Sequence, residues 1–166
     1  NAEDLIRSII DGIRTFKDEL ISPETLKKYL DKMESEELTE EKRDLINRLS
    51  DLHRVYVKYQ EFWEAKSVID FNDIVVEAIN LLKTKPLIQQ KLQNKYKHIL
   101  VDEFQDNNYA QLEIVKLISN GVDVTAVGDD DQSIFRFQGA YMKNFSDFKK
   151  HFKNTKIINL DQNYRS

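Results

Sequence analysis

Apolar residues recur three and four apart along the first part of the chain, the spacing that gathers them on one face of a helix. Leu5, Ile9, Ile13, Phe16 and Leu20 make one such face. Ser22-Pro23 supplies a cap and then proline at the first helical position, opening a second helix through Leu26, Tyr29, Leu30 and Met33. Glu34 to Glu37 reads as a solvated acidic connector. Thr39 starts a long third helix with Leu45, Leu49, Leu52, Tyr56, Tyr59 and Trp63 along one face, a stripe whose plain reading is core packing. Asp70 caps a fourth helix with the face Phe71, Ile74, Ala78 and Leu82, and Pro86 opens a fifth that leads to Tyr96.

Beyond Tyr96 the pattern changes to short apolar runs that end in polar clusters. Ile99-Leu100-Val101 stops at Asp102-Glu103, Val124-Thr125-Ala126-Val127 opens into Gly128-Asp129-Asp130-Asp131-Gln132-Ser133, and Ile157-Ile158-Asn159-Leu160 opens into Asp161-Gln162-Asn163-Tyr164-Arg165-Ser166. Helical faces lie between them. Leu112, Val115 and Ile118 precede the stop signal Asn120-Gly121, and Phe145, Phe148 and Phe152 follow the candidate cap Asn144. Strand, helix, strand, helix, strand predicts a right-handed parallel layer whose strands are covered on both faces. Ligands of such sheets sit at the carboxyl ends of the strands, so three polar exits on one edge make a candidate site. Side chains alternate along a strand, so Asp102 and Glu103 can do different jobs, one facing a Mg²⁺ shell and the other an attacking water; taken alone the pair also suits an acidic turn after a core strand. Taken singly, Asp129, Asp130 and Asp131 also suit a solvated loop. Phe135 and Phe137 alternate as core strand residues would, and Arg165 suits an unstructured tail.

Together these segments resemble a known family. Val101-Asp102-Glu103-Phe104-Gln105-Asp106, the stretch from Val127 through Ser133-Ile134-Phe135-Arg136-Phe137-Gln138-Gly139-Ala140, and Leu160-Asp161-Gln162-Asn163-Tyr164-Arg165-Ser166 look like motifs II, III and IV of the UvrD/Rep/PcrA-like superfamily 1 DNA helicases. Ile69-Asp70-Phe71-Asn72-Asp73-Ile74 is similar to the segment that precedes motif II in that family. The resemblance implies an α/β fold: an incomplete RecA-like, P-loop NTPase-type parallel sheet with a helical subdomain at the N-terminus. Residues 1–68 would be the inserted helical subdomain, and residues 69–166 the later part of the first RecA-like domain.

Roles follow by position. Asp102 matches the Mg²⁺-associated acid, and magnesium favours one or two carboxylates with several retained waters. Glu103 matches the residue that polarises the attacking water, and Gln132 the amide that meets the γ-phosphate. Arg165 matches an arginine finger, and Tyr164 an aromatic stacked on the nucleotide base. Phe135, Arg136, Phe137 and Gln138 match the motif III stretch that contacts single-stranded DNA, where stacking is worth about 1–3 kcal/mol per base and tolerates any sequence. Two positions depart from the better-known members, with Phe137 where Trp is usual and Gln138 where Arg is usual. The partners implied are ATP with Mg²⁺, single-stranded and duplex DNA, and the rest of the same helicase chain.

The glycines are Gly12, Gly121, Gly128 and Gly139, and none precedes a lysine, so no Gly-x-x-x-x-Gly-Lys-Ser/Thr loop cradles a triphosphate. The chain opens at Asn1 and stops within the motif IV match, so the expectation is a piece of a larger helicase that is inactive alone. Its uncovered sheet edge is expected to drive dimerisation or limit solubility.

Composition agrees with a soluble, cytoplasmic domain: 166 residues, 40% hydrophobic and 33% charged, with no cysteine and no membrane-length apolar run. The net charge of −4 argues against a general nucleic-acid-binding surface without excluding a local groove. His53, His98 and His151 lack ligand spacing.

The leading expectation is an ATP-dependent DNA helicase, of the family's usual 3′-to-5′ polarity, that couples hydrolysis to translocation and unwinding. Three alternatives stand beside it. One is the motor part of an AddA- or RecB-like helicase-nuclease. The second is a metal-dependent nuclease using Asp102, Glu103 and Asp129. The third is a binding module only, in which the helical insertion of residues 1–68 touches duplex DNA through Lys and Arg.

Overall fold

In a computed structural model, which describes residues 2–36, 39–129, 144–160 and 162, seven helices accompany a small parallel sheet. The order is α1 (Ala2–Asp18), α2 (Pro23–Glu34), α3 (Glu40–Lys66), α4 (Phe71–Thr84), α5 (Pro86–Lys95), β1 (His98–Val101), α6 (Tyr109–Ile118), β2 (Asp123–Ala126) and α7 (Asn144–His151), with a 3-10 turn at Phe104–Asp106 after β1.

Local chemistry sets the helix ends. Ser22 Oγ accepts the Thr25 N–H at 3.2 Å and Thr39 Oγ1 accepts the Lys42 N–H at 3.3 Å, so both predicted caps form. Asp70 makes a full capping box: its Oδ1 accepts the Asp73 N–H at 2.8 Å while Asp73 Oδ2 accepts the Asp70 N–H at 3.1 Å. Leu20 does not continue α1 as its spacing predicts. It adopts φ +55° past the end, where its N–H reaches the Lys17 carbonyl and the Ile21 N–H reaches that of Phe16. That pair of bonds closes the helix as a Schellman motif.

The helical half packs around Leu26, Leu30 and Ile46, with Phe16, Ile21, Met33 and Leu49 against them. On α3 the buried positions are Ile46 and Tyr56, while Leu45 is exposed. Tyr56 stacks on Phe16 with ring centroids 6.1 Å apart, so the centre of the aromatic stripe packs inside the molecule. On α4 the buried residues are Ile79 and Leu82; Phe71 and Ile74 face solvent.

Among the described residues the sheet holds two strands, β1 and β2, paired in parallel with Ile99 opposite Val124 and Val101 opposite Ala126. Val101, Val124 and Ala126 point to a core of Phe104, Leu112 and Phe148. The opposite face is open, and Leu100 is 78% exposed, so the expected covering of β1 on both faces is not met. Helices α6 and α7 cover one side only. The third expected strand is absent: residues 157–160 are irregular, with Ile157, Ile158 and Leu160 exposed. An apolar run becomes a strand only when a neighbour completes its hydrogen-bond ladder, and among the described residues none does.

Candidate active site

The register of β1 and β2 brings two strand exits side by side. Past the sheet, the Val127 N–H donates to the Val101 carbonyl at 2.8 Å and the Phe104 N–H donates to the Val127 carbonyl at 2.9 Å. Asp102, Glu103 and Asp129 therefore lie at one end of the sheet, on the carboxyl side of both strands. Phe104 is the anchor. Its side chain is fully buried and meets Phe145 and Phe148 edge-on at 5.1 and 5.3 Å, fixing the turn that carries the acids.

The two acids differ for another reason than strand alternation. The strand ends at Val101, and Glu103 takes a left-handed conformation with φ +46° and ψ +46°. Asp102 Oδ1 accepts the Glu103 N–H at 2.9 Å, stabilising the bend. A bulky non-glycine residue held there stores conformational strain, which persists only where surroundings enforce it. Both carboxylates remain exposed.

Gln105, which has no role in the motif match, is the buried polar residue of this site at 6% exposure. Its Nε2 donates to Glu103 Oε2 at 2.7 Å, and its Oε1 accepts the Asp129 N–H at 3.0 Å. Gly128 makes room for it. A Cβ at that position would come 2.5 Å from Gln105 Oε1 and 3.0 Å from the Phe104 nitrogen. A glutamine between two acids gives no hydrophobic or charge signal, and only the fold shows that it is buried.

Gln132, Phe135, Arg136, Phe137, Gln138, Tyr164 and Arg165 lie outside the described residues. Among the described residues no three His, Cys, Asp or Glu side chains group as a metal site, so the nuclease set Asp102, Glu103 and Asp129 gains no support. As a single oxygen donor at an open strand exit, Asp102 instead suits an ion that keeps most of its waters. No helix among the described residues is long and apolar enough to cross a membrane.

A second polar cluster joins the helical half to the sheet half. Lys17 is 3% exposed and its ammonium lies 2.6 Å from both Asp70 Oδ2 and Asp73 Oδ1; the Tyr59 hydroxyl donates to Asp70 Oδ2 at 2.7 Å. Asp18 Oδ1 accepts from Asn72 at 2.9 Å and from Asn108, the cap of α6, at 2.8 Å. Asp70, Asn72 and Asp73 thus fasten α1, α3 and the start of α4 to one another, and Asp18 ties α6 to the same cluster.

Comparison with known proteins shows the family. Residues 1–153 match the UvrD/REP helicase N-terminal domain. The chain is 34% identical over 168 residues to the ATP-dependent DNA helicase UvrD1 of Mycobacterium tuberculosis, covering 96% of this chain and 20% of that protein. It is 36% identical over 155 residues to DNA helicase II of Haemophilus influenzae, covering 93% and 19% respectively. With the ATP-dependent DNA helicase Rep of Buchnera aphidicola it shares 42% identity over 112 residues, 67% of this chain and 17% of the relative. The chain spans about a fifth of the length of the curated relatives it matches.

Proposed function

The chain belongs to the UvrD/REP helicase N-terminal domain family, and from that premise we propose that it works within a longer polypeptide as part of an ATP-driven DNA motor. In that reading residues 69–166 are the later part of a RecA-like domain and residues 1–68 its helical insertion. The observation that carries it is the convergence of the β1 and β2 exits, with Asp102 and Glu103 on one and the Asp129 backbone on the other. Relatives named as ATP-dependent DNA helicases support ATP as substrate and DNA as partner.

Glu103 accepts a proton from, or orients, the water that attacks the γ-phosphate. Its exposed carboxylate is open to that water, while the left-handed backbone and Gln105 hold it in place. Asp102 would hold Mg²⁺ through its waters, and the bound ion would neutralise charge on the phosphate oxygens. Gln132 and Arg165 are assigned the γ-phosphate and the transition-state charge, and Tyr164 the base. Phe135, Arg136, Phe137 and Gln138 are assigned the single strand. No glycine here is followed by lysine, so a phosphate cradle must come from other residues of the longer polypeptide.

The test is ATP hydrolysis and strand displacement by the full-length protein, with and without single-stranded DNA. Hydrolysis stimulated by DNA and coupled to unwinding is expected. Magnesium-dependent DNA cleavage that needs no ATP would refute the motor and favour a nuclease.

A further inference from the structure

We infer that Gln105 is a positioning residue that sets the Glu103 carboxylate and couples it to the exit of β2; the inference rests on the role proposed for Glu103. A carboxylate only accepts and a backbone N–H only donates, so the amide can be oriented in one way: Nε2 to Glu103 and Oε1 to Asp129. The residue is 6% exposed and follows the fully buried Phe104, so its backbone is rooted in the core. Glu103, by contrast, is exposed and stands on a left-handed backbone. A bond from a buried amide to an exposed acid selects one rotamer. It engages Oε2 and leaves Oε1 as the oxygen to meet a water.

The second bond extends the consequence. Asp129 opens the polar segment after β2, and its N–H is held by the same carboxamide. When that exit shifts, Gln105 must either abandon one partner or carry Glu103 with it. Abandoning either bond leaves a buried amide group unpaired, which is unfavourable. The geometry thus makes the position of Glu103 respond to that of the β2 exit. Glycine at 128 is what allows the amide to lie between the two.

The experiment measures DNA-stimulated ATP hydrolysis and thermal unfolding of the full-length protein carrying Gln105→Met, Gln105→Glu, Glu103→Gln, or the exchange Glu103→Gln with Gln105→Glu. Gln105→Met removes both bonds at similar volume and should lower kcat by about tenfold or more, with KM for ATP within about twofold, as expected for loss of a charge-assisted bond. Gln105→Glu sets two carboxylates against each other and should lower both kcat and the unfolding midpoint. In the exchange, the new amide at 103 donates to the new carboxylate at 105, which still accepts the Asp129 N–H. The midpoint should return towards wild type while turnover stays as low as in Glu103→Gln. Wild-type kcat in both single Gln105 variants, with Glu103→Gln inactive, overturns the inference and leaves the role of Glu103 intact. An exchange no more stable than Gln105→Glu also overturns it. Wild-type turnover in Glu103→Gln removes the underlying role and this inference with it.

Discussion

The Lys17 ammonium, 2.6 Å from Asp70 Oδ2, belongs to one of the most buried side chains among the described residues. A lysine so enclosed is tolerable only because two carboxylates and the Tyr59 ring surround it, with the ring centroid 4.9 Å from the ammonium. Removing the cation would strand two partly buried acids. Lys17→Met should cost about 3 kcal/mol in denaturant unfolding, against about 1 kcal/mol for Tyr59→Phe, which deletes one hydrogen bond. Equal losses would show that the ion pairs contribute nothing beyond the hydroxyl.

Acid should weaken the same junction. Burial pushes the Asp70 carboxyl up, but the Lys17 ammonium, the Tyr59 hydroxyl and the Asp73 N–H outweigh it, leaving the group below its ordinary 3.8. A carboxylate depressed in the folded state adds stability above its unfolded pKa, and loses it as pH falls through the folded value. Asp18 runs the other way: burial raises it despite the Asn72 hydrogen bond and Arg14, so it favours folding as pH drops. Unfolding free energies measured from about pH 6 to about pH 3 should therefore fall less in Asp70→Asn than in wild type. A steeper fall in Asp70→Asn would contradict the assignment.

Ser67 ends α3 with φ +53°, its N–H on the Glu64 carbonyl and the Val68 N–H on that of Trp63. The residue is exposed, so only the backbone decides the outcome. Ser67→Gly should raise stability by about 0.5–1 kcal/mol, whereas Ser67→Val should lower it.

Gly128→Ala would drive a methyl group into Gln105 and against the nitrogens of Phe104 and Gln105, at 3.0 and 3.2 Å. Backbone atoms on a buried turn cannot yield as a side chain does. A loss of about 1–3 kcal/mol is expected, together with reduced turnover in the full-length protein. An unchanged melting curve would mean that the two strand exits are not packed as described.

Much of this was legible from residues alone. Ser22, Thr39 and Asp70 announce their helices because a capping oxygen acts within three residues. The parallel pairing of β1 and β2, separated by α6, follows from two apolar runs with a helix between them. Long-range facts were not legible. Lys17 on a helix reads as a solvated charge until α3 and α4 close over it. Gln105 carries no pattern, and its value arises only from the meeting of residues 24 apart in sequence. The run Ile157-Ile158-Asn159-Leu160 has strand composition, yet composition cannot supply the neighbouring ladder. Alternation along a strand predicts different directions for Asp102 and Glu103, but a left-handed backbone at Glu103 separates them instead.

The most direct measurement is a single-turnover comparison of wild type and Glu103→Gln in the full-length protein, with single-stranded DNA and a fluorescent ATP analogue. Nucleotide should bind both proteins about equally, while hydrolysis in the variant falls by two orders of magnitude or more, roughly the range for losing a general base. Hydrolysis at the wild-type rate would contradict the account.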